Sequence, residues 1–318
     1  MPIKMQIKMP IKIIKTIKTK LFKNSLIDYL AVFLLRTLAL LPWRVISFIG
    51  IFVGYLLYLL PTRTKQVTTI QISKCFAHLN QTDLNNLIKK SVINIGRAML
   101  ENICSIIFKP QRALKLINEV HGLNELQNAL NSKQAVVCLT SHLGNWEILN
   151  HYFGSLCCCT CFYRPLKKFK RLDIFIKNSR SQTQNEVVPS TKKGILTVIK
   201  KVKLGCAVGI PIDPEPAASA GVFAPFLGVQ TLTSKFAHNL LTGSNNVHAF
   251  FMHAIRKNDG YFAVYIERAP IAMFDLDPKT SINAMSCVLA KYVSKYPDQY
   301  LWSMKRFKHR PNNEPKWY

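Results

Sequence analysis

The stretch of the chain best suited to do chemistry is Thr140-Ser141-His142-Leu143-Gly144-Asn145-Trp146-Glu147-Ile148-Leu149. A histidine can act as a base near neutral pH, and a carboxylate on one ring nitrogen fixes the tautomer and raises the basicity of the other. The free nitrogen can then take the proton from an attacking hydroxyl. A His followed five residues later by a Glu is common by chance, but the context here is more specific. The apolar run AVVCLT (135–140) ends just before His142, Gly144 permits a tight turn, Asn145 can cap, and Trp146-Glu147 opens a helix. The pattern points to His142 as a general base, with the turn folding Glu147 back to orient it.

Such a pair needs a frame. Short apolar runs recur at 135–140, 156–162 (LCCCTCF), 206–212 (CAVGIPI), 247–255 (VHAFFMHAI) and 261–266 (YFAVYI). Helical stretches separate several of them, near 145–154, 168–182, 192–203 and 234–242. A further helix beginning near Thr82 places Leu84, Leu87, Ile88, Val92 and Ile95 on one apolar face. The expected class is α/β, with a mixed, largely parallel central sheet flanked by helices. His142 then lies beyond the carboxyl end of a strand, where open sheets of this kind place their sites. There is no internal repeat, phosphate-binding glycine loop or dinucleotide fingerprint.

Charge is the compositional outlier. In 318 residues, 43 Lys and Arg face 16 Asp and Glu, a net of +27. That field draws polyanions: nucleic acid, anionic lipid headgroups or an acidic protein. The nine cysteines are not spaced as a disulfide framework, and no small-residue cleavage site follows the basic N-terminus. Cys157, Cys158, Cys159 and Cys161 lack the paired spacing of a zinc site and read as small hydrophobes in a buried strand, consistent with a reducing compartment.

Residues 1–23 carry seven Lys and no acid. As a helix they put Lys4, Lys8, Lys12, Lys15 and Lys18 opposite Ile7, Ile14, Ile17 and Leu21, the pattern of a cationic helix on an anionic membrane. Pro2, Pro10 and the β-branched residues equally allow a disordered basic tail. Residues 26–60 are the most apolar part of the chain. Arg36 and Pro42-Trp43-Arg44 divide them into two runs, each short of the ~20 residues of a clean span. Basic residues on both flanks favour a shallow membrane hairpin over a single crossing. The organisation expected is a basic tail (1–24), a membrane-embedded helical segment (25–61) and a soluble catalytic domain (62–318).

His142-Leu-Gly-Asn-Trp-Glu147 resembles the H-x-x-x-x-(D/E) motif of the lysophospholipid acyltransferase superfamily, in the form used by lipid A late acyltransferases of Gram-negative bacteria. Other segments resemble that narrower family in the same order. They are Tyr163-Arg164-Pro165, an Asp after an apolar strand (Asp213), GVFAPFLG (221–228) followed by TLTS, and QYLWSMKRFKHRP (299–311). The likeness runs from about residue 25 to the end. Two departures stand out: Asp213-Pro214 where the family usually has Asp-Gln, and Met304-Lys305 where it usually has His-Arg.

The resemblance implies a glycerolipid-acyltransferase-like fold and direct transfer of a fatty acyl chain from acyl carrier protein to a hydroxyl of a lipid A precursor. His142 would be the base and Glu147 its orienting partner. Arg180 stands roughly where the family has an arginine implicated in the site. Arg164, Arg306 and Arg310 become candidate phosphate or carboxylate contacts, since guanidinium forks suit such groups, although each also fits a generally basic surface. Asp213 is a further candidate, or a turn cap; Trp302 and Phe307 read as core. No Ser or Cys sits in a nucleophile elbow, and the chemistry implied needs no metal or bound cofactor. The implied location is the bacterial inner membrane, with the catalytic domain on the cytoplasmic side. Transfer to another membrane lipid is the nearest alternative. A non-catalytic membrane or nucleic-acid-binding protein is a more distant one, for no nucleic-acid-binding module is recognisable.

Overall fold

The computed structural model describes residues 11–318, and side chains from residue 26 onward. Four helices come first: α1 (Ile11–Leu40), α2 (Trp43–Leu59), α3 (Arg63–Cys75) and α4 (Gln81–Ile107). Then follow α5 (Pro110–Leu114), β1 (Ile117–His121), α6 (Leu123–Asn131), β2 (Ala135–Thr140), α7 (Trp146–Leu156) and β3 (Cys159–Tyr163). Next are α8 (Lys170–Arg180), β4 (Glu186–Pro189), α9 (Lys192–Lys203) and β5 (Ala207–Pro211). The chain ends with β6 (Gly221–Phe226), β7 (Val229–Ser234), α10 (Phe236–Thr242), β8 (Val247–Arg256), β9 (Phe262–Arg268) and α11 (Pro278–Lys295).

Seven strands form one sheet in the order β1-β9-β8-β2-β5-β3-β4, and only the β8–β9 pair is antiparallel. This is the mixed, largely parallel α/β sheet expected. Its central strand β2 is apolar at nearly every position because both faces are covered. Val137 and Leu139 enter one core layer, Val136 and Cys138 the other. One detail differs from the sequence reading and one adds to it. Helix α7 continues to Leu156, so β3 starts at Cys159 and leaves Cys158 exposed. The segment GVFAPFLG forms half of the β6–β7 hairpin, turned by Leu227 and Gly228, both at positive φ (49° and 77°).

The expected cationic face of residues 1–23 falls on residues 1–10 and on side chains of 11–25, outside those described. Helix α1 runs through the boundary expected at 24/25 and breaks from α2 at Leu41-Pro42. Helix α2 crosses α4 at backbone contact: a Cβ on Gly54 would stand 2.1 Å from the Ile93 carbonyl oxygen, and one on Gly96 2.4 Å from Gly54. The packed stripe of α2 is Ile46, Ser47, Gly50 and Gly54, while Phe48, Phe52, Leu56 and Leu59 stay exposed. Below it, the fully buried Glu101 accepts from Ser47 Oγ (2.8 Å), Arg97 Nε (2.9 Å) and Arg256 (2.8 and 2.6 Å), tying α2 and α4 to β8. No single helix among the described residues is long and apolar enough to cross a membrane. Helices α2 and α3 meet that test only as a pair bent by 80°.

Candidate active site

The register of two neighbouring strands creates the site. Parallel β2 and β5 pair Thr140 with Pro211, and the Ile212 N–H donates to the Thr140 carbonyl at 2.9 Å. The residues two places beyond each strand, His142 and Asp213, therefore emerge side by side. One oxygen of Asp213 lies 3.0 Å from His142 Nδ1 and the other accepts the His142 backbone N–H at 2.9 Å. The ring is thus fixed with Nδ1 toward the carboxylate, leaving Nε2 as the nitrogen available to the cavity that His142 lines.

Asp213 is fully buried, and its own carbonyl accepts from the guanidinium of Arg306, itself buried over the Phe226 ring. Burial alone would lower the pKa of His142. The adjoining Asp213 carboxylate, with Glu147 further off, outweighs it and raises the value. Burial would likewise raise Asp213, but the imidazolium form of His142 and the Arg306 cation hold it below the usual carboxylate range. The pair favours a basic ring beside an ionised carboxylate.

The turn after His142 is locked from three sides. Gly144 has φ 68°, and a Cβ there would lie 2.0 Å from the Ala254 carbonyl oxygen. Its N–H donates to Gln299, Asn145 N–H donates to Ala254, and Leu301 N–H donates to the His142 carbonyl. Asn145 caps α7 by accepting from Ile148 N–H at 3.0 Å. These bonds start α7 so that Glu147 lies one turn inside the protein, with its N–H on Asn102.

Glu147 does not hydrogen-bond His142. Its carboxylate forms a two-pronged ion pair with Arg180, whose Nε donates at 2.9 Å and whose second prong reaches the other oxygen. The carboxylate on the ring, expected from Glu147, is Asp213. The physical reason is direction: of the first turn of α7, Trp146 packs edge-on against the ring while Glu147 points across to Arg180 of α8, and the β5 terminus delivers Asp213 directly beside the ring.

A cavity of about 540 Å³ opens at His142, Trp146 and Arg164. Met252, Thr140, Pro211 and Tyr163 line its upper part, and Cys138, Gly209 and Cys161 lie one row deeper between α7 and the sheet. Phe153 of α7 faces that row, 3.9 Å from where a Cβ on Gly209 would stand, and Ile106 of α4 adds a further apolar part of the wall. Pro214 and Met304, the two departures from the family pattern, both line the cavity. Of the residues picked from sequence, His142, Glu147, Arg164 and Arg180 line it and Asp213 stands directly behind the ring. Arg306 and Arg310 do not line it. Arg306 is 1% exposed and engaged on Asp213. Arg310 donates to Gln230 and Glu314 and covers Trp317 at 4.2 Å. Trp302 and Phe307 are core. Asn102 escaped the sequence reading because nothing near it in the chain reveals what it holds; Gln299 opens the family-like segment 299–311, but its backbone contact to Gly144 is set by the fold alone. Asp213 left a usable signal: it follows its apolar strand at the same offset as His142 follows β2.

A strand-end His–Asp pair thus stands at a cavity on the carboxyl edge of an α/β sheet, the frame and placement of an enzyme site. The family model described as bacterial lipid A biosynthesis acyltransferase matches residues 14–309, and the chain belongs to that family. It is 22% identical over 279 residues to the lipid A biosynthesis palmitoleoyltransferase of Escherichia coli K12, covering 87% of this chain and 90% of that one. It is 24% identical over 290 residues to a lipid A biosynthesis acyltransferase of Haemophilus influenzae (90% and 91%). To the lauroyltransferase of E. coli K12 it is 22% identical over 293 residues (92% and 94%).

Proposed function

We propose that this acyltransferase moves a fatty acyl chain from acyl carrier protein to a hydroxyl of a lipid A precursor, with His142 as general base and Asp213 as the carboxylate that orients it. The observation that carries this reading is the placement of His142. Its Nδ1 is occupied by Asp213, and its other nitrogen is free toward a cavity walled in part by Ile106, Cys138, Phe153, Cys161 and Gly209. An acyl chain suits the deep part, and a reacting carbonyl at its head would lie beside the ring.

In the reaction, Nε2 takes the proton of the acceptor hydroxyl as its oxygen attacks the thioester carbonyl. The C–O bond forms and the carbonyl π electrons move to its oxygen. Collapse of that tetrahedral species breaks the C–S bond, and the imidazolium returns the proton to the departing thiolate. Asp213 stays ionised and stabilises the charged ring. Glu147 acts through Arg180, holding α8 as a wall of the cavity.

The exposed apolar stripes of α1 (Leu26, Leu30, Phe33, Leu34) and α2 (Phe48, Phe52, Leu56, Leu59) support attachment to a membrane as a shallow hairpin. The +27 charge suits an anionic bilayer, an anionic acceptor and an acidic carrier protein. The bacterial inner membrane, with the catalytic domain on its cytoplasmic side, provides all three.

The test is mass spectrometry of lipid A from cells with and without the protein, paired with a purified assay comparing acyl carrier protein and coenzyme A thioesters on one acceptor. An added acyl chain on lipid A and preference for the carrier-protein donor are expected. Unchanged lipid A together with a newly acylated phospholipid or other membrane lipid would replace the acceptor assigned.

A further inference from the structure

Asp28 is the sole acidic residue before Asp83. It lies in the apolar part of α1, where Leu26, Ile27, Tyr29 and Leu30 are exposed, yet Asp28 itself is buried. A carboxylate in such a place is costly unless its oxygens are satisfied. Its partners are far along the chain: Oδ2 accepts the backbone N–H of Arg171 at 2.9 Å and Oδ1 that of Leu172 at 3.0 Å. Those are the second and third residues of α8, the two N–H groups that a capping side chain ordinarily serves. The residue that precedes α8, Phe169, makes no such side-chain bond. Helix α1 therefore caps α8 from outside. Two cation–aromatic contacts close the same interface in opposite directions, Arg171 over Tyr29 at 3.9 Å and Arg36 over Phe175 at 5.1 Å.

What α1 holds is a wall of the site. Asp173, Ile176 and Arg180, at helical spacing on α8, line the cavity. Helix α8 buries only Ser179 fully, so it is fixed by its ends and not by a broad apolar face. At one end is the Asp28 cap; at the other, Arg180 pairs with Glu147 while its carbonyl accepts from Asn150 at 3.2 Å.

We propose that Asp28 is a positioning residue for acyl transfer: by capping α8 across the α1–α8 interface, it ties the seating of the N-terminal helix to the cavity wall that carries Arg180. The inference rests on reading this cavity as the acyl-transfer site.

The test uses the full-length protein on vesicles of phosphatidylglycerol and phosphatidylcholine. Asp28→Leu, which suits an apolar helix, is compared with Asp28→Asn, which keeps one acceptor, and with Arg171→Pro. Proline is tolerated in a first helical turn and removes one donor of the cap. Flotation should be unchanged in all three. Amide exchange across residues 170–180 should quicken about tenfold in Asp28→Leu and less in Asp28→Asn, while β2 and α4 keep their protection. The value of kcat/KM should fall about tenfold in parallel, and the loss should be non-additive with Arg180→Lys.

Unchanged exchange in α8, or faster exchange with undiminished kcat/KM, overturns the proposal, as does additivity with Arg180→Lys. Should Asp28→Leu not fold, Asp28→Asn and Arg171→Pro decide the matter by the same readouts. A wild-type protein without transfer activity would instead refute the acyl-transfer reading, and the exchange arm would still report whether Asp28 holds α8.

Discussion

Asp213 grips His142 at two points, its carboxylate spanning the ring Nδ1 at 3.0 Å and the backbone N–H at 2.9 Å across 71 residues of chain. A carboxylate held this way sets both the rotamer and the tautomer of the ring, so its loss should affect chemistry more than binding.

Replacing His142 by Ala should lower kcat by about 10²–10⁴-fold, the range for a lost general base. Asp213→Asn should cost a similar factor, and the double variant little more, because the two act as a unit. The pH profile separates the roles. The ring's pKa is raised because the Asp213 carboxylate outweighs burial, and the base works only when unprotonated. Removing the carboxylate should therefore move the acid limb of kcat/KM to lower pH while the plateau drops. An acid limb that stays in place would detach Asp213 from the titration of the base.

Glu147 and Arg180 form a mostly buried ion pair, so taking one partner away leaves a poorly solvated charge. Arg180→Ala should destabilise the protein by about 3–5 kcal/mol, reduced by the part-exposure of Arg180, and the double variant with Glu147→Ala should recover part of that loss. Thermal denaturation of both single variants and the double one gives the answer. Strict additivity would show that the pair contributes nothing as a pair.

Gly209 lies in the deeper row of the cavity, where an added Cβ would come within 2.8 Å of Cys161 Sγ and 3.9 Å of Phe153. That row is four residues below His142 along β2, roughly 13 Å at the strand rise per residue. Gly209→Ala should disfavour long acyl donors about tenfold relative to shorter ones, since one methylene in an apolar pocket is worth ~1–3 kcal/mol. Cys161→Ala in the same chain should restore the original preference. A donor-length profile that does not change would place the acyl chain elsewhere.

His253 is fully buried behind the site, with Nδ1 3.3 Å from Ser141 Oγ and its ring 4.5 Å from that of Tyr292. Burial pushes its pKa down to about 4. With the folded value below the unfolded one, the unfolded chain binds the proton first. Stability is complete above the ordinary histidine pKa and is lost as pH falls toward 4, by up to about 3 kcal/mol. His253→Gln should flatten the dependence of Tm on pH between about 6.5 and 4. An equally steep acid loss in that variant would assign it to other groups.

Much of the frame was legible from residue pattern alone. AVVCLT is β2 to the residue, a continuous apolar run between the polar Gln134 and Ser141, and 192–203 is α9 to the residue, an amphipathic helix capped by Thr191 and stopped at Gly205. The start of β3 was misplaced for the same kind of reason. Leu156 and the cysteines beside it suit helix and strand alike, and packing of α7 against the sheet extended the helix. The β6–β7 hairpin stayed hidden because its turn, Leu227-Gly228, lacks the Asn-Gly or Asp-Gly signature.

The sequence by itself determined that a histidine follows the central strand at a glycine turn, that a helix carrying Glu147 begins directly after it, and that the sheet is largely parallel. Those features depend on neighbours a few residues apart, through turn chemistry, capping and side-chain period. The tertiary structure decided which carboxylate serves the ring. Strand order put β5 next to β2 in the register Thr140–Pro211, which delivers Asp213 to His142. The direction of α7 sends Glu147 to Arg180. Strand order arises from the packing of the whole core, and no local run of residues carries it.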